Sequence, residues 1–202
     1  MAPKLSLYLV LGLIAAALHI AVGQPLDTLF VQHGECAWVW QGQVLFGLAI
    51  GLFVIALSRY ASTHWRWTQK IDDEFHLILG DLTARDIFAL ALLSSTVEEM
   101  FFRGFLQGQI GIGWSAIAFG VAHFPYRRAL IPWTVAALGV GWVFGHIVAW
   151  QGNLIAVTVA HFVINYFNLH YILRPRVETA PTMTSPAISE FDPPSNVARK
   201  NY

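Results

Sequence analysis

Between Ser94 and Arg103 the chain reads Ser-Ser-Thr-Val-Glu-Glu-Met-Phe-Phe-Arg, which sets two adjacent carboxylates and a guanidinium inside an otherwise apolar stretch. Charges in such a medium are expensive and need partners. Glu99 and Arg103 stand four apart, so on a helix they share a face and can pair, whereas Glu98 is turned about 100° away and left free to act. Withdrawal from bulk water makes a carboxylate a stronger base toward water. Further along, Phe119-x-x-x-His123 places an aromatic ring and an imidazole on one helical face, with Gly120 allowing a neighbouring helix to approach. His161-x-x-x-Asn165 aims an imidazole and a carboxamide from one face toward one point. His123 can help to orient or deprotonate a water, and His161 with Asn165 can donate to an oxyanion. The chemistry indicated is hydrolysis by a glutamate-activated water.

Each piece has a plainer reading. An isolated His or Asn in an apolar helix more often ties one helix to another, and Glu99 with Arg103 can be purely structural. Joint occurrence favours chemistry. His19, His146 and His170 lack a polar partner at helical spacing in a comparable constellation and read as interfacial or packing groups, as Met100, Phe101 and Phe102 read as packing or lipid-facing. The lone Cys36 reads as incidental.

The elements that must position these residues are membrane helices. Of 202 residues 56% are hydrophobic and 12% charged, the mean hydropathy is +0.54, and an ordinary soluble domain has roughly 25% charged residues. The formal net charge is zero, which gives no basic excess for nucleic acid and no acidic excess for a basic ligand. Apolar windows suited to spans run at about Leu5–Gly23, Trp40–Leu57, Asp86–Leu106, Ile110–Phe124, Ala129–Trp150 and Leu154–Leu173. The expected fold is therefore an all-α polytopic bundle of about six spans occupying 1–173. The fourth window is short and followed by Pro125, so a half-span or angled helix is an alternative. The first, with Lys4 ahead of it and Ala21-Val22-Gly23 at its end, has a cleaved signal peptide as its alternative.

Basic residues alternate by loop as the six-span order requires: Lys4, then Arg59 to Arg85, Arg127 with Arg128, and Arg174 onward fall on one side. The loops at 24–39, 107–109 and 151–153 carry no Lys or Arg, which places both termini in the cytoplasm. The mixed-charge segment Arg59–Arg85 reads as a surface loop, with Thr83 and Asp86 capping the third span. From Arg174 to Tyr202 the Pro-, Thr- and Ser-rich chain reads as a disordered cytoplasmic tail. Counting 1.5 Å per residue from the cytoplasmic flanks puts Glu98 about 18 Å deep and His123 about 6 Å deep, a mismatch for two intended neighbours.

Glu98-Glu99-x-x-x-Arg103, Phe119-x-x-x-His123 and His161-x-x-x-Asn165 together resemble the three-motif signature of the CPBP family, which holds the type II CAAX prenyl endopeptidases and their bacterial relatives, also called Abi proteins. The resemblance covers about 86–173. It implies an intramembrane glutamic endopeptidase cutting near the C-terminus of a membrane-associated protein or peptide, prenylated or carrying a sorting segment. Carried over, Glu98 is the base, His123 its partner, Glu99, Arg103 and Phe119 support them, and His161 with Asn165 forms the oxyanion site. No metal or other cofactor is implied. The chain is shorter than the eukaryotic members, which have about eight spans, and its compactness makes a bacterial inner membrane the default.

Other readings make different demands. A rhomboid-type serine protease wants Gly-x-Ser-x-Gly, whereas Gly113-Trp-Ser115-Ala-Ile117 lacks the last glycine. A zinc protease could draw on the Glu and His residues, although no His-Glu-x-x-His helix is present. A membrane scaffold or peptide-immunity protein would keep the same residues for packing. A transporter usually shows repeated halves, and none is seen.

Overall fold

The computed structural model describes residues 2–30, 39–124 and 127–174. Cys36, Pro125 and the tail from 175 lie outside these residues. Every apolar window is helical: α1 (Ala2–Ala21), α2 (Trp40–His64), α4 (Ala84–Glu99), α5 (Gln107–Ala122), α6 (Ile131–Gln151) and α7 (Ile155–Ile172). A π-helical segment, Met100–Leu106, joins α4 to α5. No strand occurs among the described residues, so the fold is all-α.

Among the described residues four helices are long and apolar enough to cross a membrane: Trp40–His64, the 39-residue Ala84–Ala122, Arg128–Gln151 and Ile155–Ile172. The second is folded. Gly111 adopts φ 81°, ψ 169°, a conformation open to glycine and costly for residues with a Cβ, and the chain doubles back there. The return leg is held by the Ser115 hydroxyl, which donates to the Phe102 carbonyl at 2.8 Å, and by Phe119 packed edge-on against Phe102 with centroids 5.0 Å apart. With α1, six legs traverse the bundle. Gln24, Thr28, Gly108, Gln109, Gly152 and Asn153 line a single hollow at one end, so the loops without Lys or Arg lie together.

The surface is apolar and the interior is rich in small and polar residues. Leu13, Leu45, Phe53 and Val135 are exposed, while Ser95, Gln43 and Gln151 are buried. That inversion suits lipid, where close packing through small residues rather than hydrophobic burial joins helices. On α2, Gly47 and Gly51 face α7, and a Cβ at Gly51 would meet Val163 at 2.8 Å. The approach expected at Gly120 is made by α6: a Cβ there would lie 2.9 Å from the Leu138 Cβ. The core sits around α7, where Ala156, Val157 and Ala160 are fully buried with Phe144 and Leu154 close by.

The segment expected to be a surface loop is instead largely helical. α2 continues to His64, and Arg66–Leu79 forms a helix, α3. Its charges alternate with Ile71, Phe75 and Leu79, four residues apart, which gives one apolar stripe on a polar helix. That stripe lines a cavity shared with α4 and α7, so burial against the bundle overrides the polar composition. The capping pair does form: Thr83 and Asp86 make reciprocal side-chain to backbone bonds at the start of α4.

Candidate active site

Glu98 and Glu99 occupy the last turn of α4, immediately before the π-helical segment. Such wide turns leave backbone carbonyls open to other partners, and they recur at functional sites. Here Phe102 O is taken by Ser115 and Gly104 O by the His19 ring of α1 at 3.1 Å. His19, set aside as a packing group, is one: its other ring nitrogen lies 3.0 Å from the Thr28 hydroxyl.

Glu99 is fully buried, at 0% exposure. Its Oε1 accepts from Arg103 Nη1 at 3.1 Å and from His161 Nδ1 at 2.8 Å. The guanidinium stacks over Phe119, with Cζ 4.2 Å from the ring centre. Phe119 also packs on the His123 ring at 4.1 Å, so one aromatic ring separates the Glu99–Arg103 pair from His123.

Glu98 faces the other way, as the helical offset requires. Its Oε1 accepts from the Tyr8 hydroxyl of α1 at 3.1 Å. Its Oε2 is buried and makes no hydrogen bond among the described residues, yet it lies 3.4 Å from His123 Nε2 and 3.9 Å from His161 Nε2. In both imidazoles Nδ1 is engaged elsewhere, at Phe119 O (2.7 Å) for His123 and at Glu99 for His161. Both Nε2 atoms are therefore turned toward Glu98 Oε2. Nδ1–H donation to a carbonyl leaves neutral His123 with an Nε2 lone pair, and donation to Glu99 does the same for His161.

Asn165 stands one turn beyond His161, and its amide donates to Ser94 Oγ at 3.0 Å, leaving its second N–H without an acceptor among the described residues. Glu98, His123, Asn165 and Ser94 line a cavity of about 280 Å³ whose walls include Phe75, Leu79, Trp133, Leu169 and Ile172. His161 does not line it and approaches Glu98 from behind. Among the described residues no three His, Cys, Asp or Glu side chains are grouped to hold a metal ion.

All seven residues singled out in the three motifs come together. The depth mismatch between Glu98 and His123 disappears because Gly111, rather than the flanks, sets their level: they stand thirteen residues before it and twelve after it. α4 then reaches further than α5 at the basic end, and α3 covers that side of the cavity. Sequence reasoning missed Ser94 and Tyr8. Ser94 is four residues before Glu98 and so detectable by helical spacing; Tyr8 lies 90 residues away, and only the packing of α1 brings it in.

Fold and site define a helical bundle of integral membrane type with a buried carboxylate, imidazole and amide cluster. Residues 81–167 match the family model described as type II CAAX prenyl endopeptidase Rce1-like. An uncharacterized protein, YpbD of Bacillus subtilis (strain 168), is 31% identical over 124 residues, which span 60% of this chain and 65% of that protein. No solved structure matches the chain.

Proposed function

We propose that this protein is an intramembrane endopeptidase that hydrolyses a peptide bond near the C-terminus of a membrane-associated or lipid-modified protein or peptide, with Glu98 activating the water. The family match supports the reaction class. The observation that carries the mechanism is the position of Glu98 Oε2, which has no hydrogen-bond donor among the described residues and is faced by two imidazole Nε2 atoms at the edge of the cavity. A buried acceptor without a donor is costly. The mechanism calls for a water oxygen within about 2.8 Å of both Glu98 Oε2 and His123 Nε2, on the cavity side.

Glu98 Oε2 takes one proton from that water while His123 Nε2 accepts the other as a hydrogen bond, and the oxygen attacks the scissile carbonyl carbon. The free N–H of Asn165 donates to the resulting oxyanion. His161, its Nδ1–H held by Glu99 and its Nε2 3.9 Å from Glu98 Oε2, backs the carboxylate, with Arg103 balancing the charge of Glu99. When the carbon–nitrogen bond breaks, the proton held by Glu98 passes to the leaving amine while the other water proton stays on the new carboxyl group, giving a carboxylic acid and an amine that ionise to carboxylate and ammonium on release. The apolar walls formed by Phe75, Leu79 and Leu169 accept an apolar C-terminal segment, prenylated or part of a sorting signal.

The basic end, where the cavity lies, faces the cytoplasm in this account, and a bacterial inner membrane is the setting. The mechanism calls on no metal. The purified protein should keep its cleavage activity in excess EDTA or phenanthroline, whereas a zinc enzyme loses it. A scaffold or immunity role predicts that Glu98→Gln retains function; near-complete loss is expected here.

A further inference from the structure

We infer that Tyr8 is a positioning residue for Glu98, fixing the plane of the carboxylate so that one oxygen is held by the hydroxyl and the other faces the two imidazoles; this rests on the reading of Glu98 as the base. The terminal torsion of a glutamate is broad, so burial alone does not fix the plane of the carboxylate. The Tyr8 hydroxyl fixes it by donating to Oε1 at 3.1 Å. Oε2 is thereby left turned to His123, 3.4 Å away.

Tyr8 can hold a carboxylate only if α1 is itself held, and it is. Tyr8, Gly12, Ala15 and His19 follow helical spacing and form one stripe facing α4 and the π-helical segment. A Cβ at Gly12 would lie 3.1 Å from Val97 Cγ2, in the turn that carries Glu98. Ala15 is fully buried, and the His19 ring ties the stripe to Gly104 O. Leu7 and Leu13, off the stripe, are exposed. α1 lies outside the family-matched segment 81–167, so this contact is an addition to the motif set. The hydroxyl also borders the cavity, with no other donor to Oε1 among the described residues.

The test uses the full-length protein in detergent and a peptide spanning a cleavage site identified in cells as present with wild type and lost with Glu98→Gln. Tyr8→Phe keeps the ring and removes the donor. Expected is a fall in kcat of about 10-fold or more, the size seen when a group orienting a catalytic side chain is removed, with KM and the thermal midpoint unchanged. In a His123→Ala background the same substitution should cost much less, because the partner toward which Oε2 is aimed is gone. Leu7→Ala, on the exposed side of α1, should change none of these. Wild-type kcat in Tyr8→Phe alongside an inactive Glu98→Gln overturns the inference and leaves the glutamate reading intact. A loss that is equal in the His123→Ala background, or that tracks the thermal midpoint, assigns Tyr8 a structural role and overturns it too. If no fragment depends on Glu98, the glutamate reading itself fails.

Discussion

Two adjacent glutamates on one helix turn have different partners. In Glu99, Oε1 is bonded by both Arg103 and His161, and the Arg103 guanidinium lies against Phe119 and Phe144. Breaking such a pair leaves a buried charge uncompensated, at a cost of about 3–5 kcal/mol. Arg103→Ala should therefore lower stability by that order in a detergent unfolding assay. Replacing both, Glu99→Met with Arg103→Leu, should recover much of the stability but not activity, because His161 Nδ1 loses its acceptor. Recovery of cleavage in the double variant would show that Glu99 has no part in orienting His161. Glu98 differs in having no cation bonded to it: Tyr8 holds one oxygen and two imidazoles face the other at the edge of the cavity, and under the proposed mechanism Glu98→Gln should cost roughly 10²–10⁴ in rate. The pairing of Arg103 with Glu99 and not with Glu98 was legible from spacing alone, since Arg103 is four residues from Glu99.

At the scale of elements, α3 and the turn at Gly111 decide the shape of the site. α3 covers the cavity with Ile71, Phe75 and Leu79 and is pinned at Glu74 to Arg127, between α5 and α6. Phe75 also packs edge-on against Trp133, 4.9 Å between centroids. Phe75→Ala should raise KM several-fold with little change in kcat, measured on the same peptide; a fall in kcat alone would place α3 in the chemistry rather than in substrate binding. Gly51→Val forces a β-branched side chain into Val163 across the α2–α7 contact. Overpacking of this kind costs typically about 1–3 kcal/mol, and the unfolding midpoint should drop accordingly. The charge density of Arg66–Leu79 hid this helix from a hydropathy reading, although its four-residue apolar spacing was present. The π-helical segment left no signal, because its carbonyls find their partners, Ser115 and His19, through tertiary packing.

For the whole molecule, an apolar exterior around a polar, small-residue interior makes sense only in lipid, and composition conveyed that at once. The six apolar windows all became helices. What composition could not convey was that one of them begins inside a 39-residue helical stretch folded at Gly111, or that α1 contributes to the site. Orientation is testable separately. With Cys36 replaced by serine, a cysteine at Gln24 should react with an impermeant maleimide on intact cells, while one at Arg66 should react only after permeabilisation; the reverse pattern would turn the cavity to the outside.

The most direct test of the central claim compares cells carrying wild type with cells carrying Glu98→Gln at matched membrane abundance, by mass spectrometry of C-terminal fragments from membrane and secreted proteins. The account predicts fragments that are present with wild type and lost with Glu98→Gln, each marking a cleaved bond near the C-terminus of a membrane-associated protein. Identical fragment sets, in cells where deletion of the protein still has a phenotype, would contradict it and leave a scaffold or immunity role.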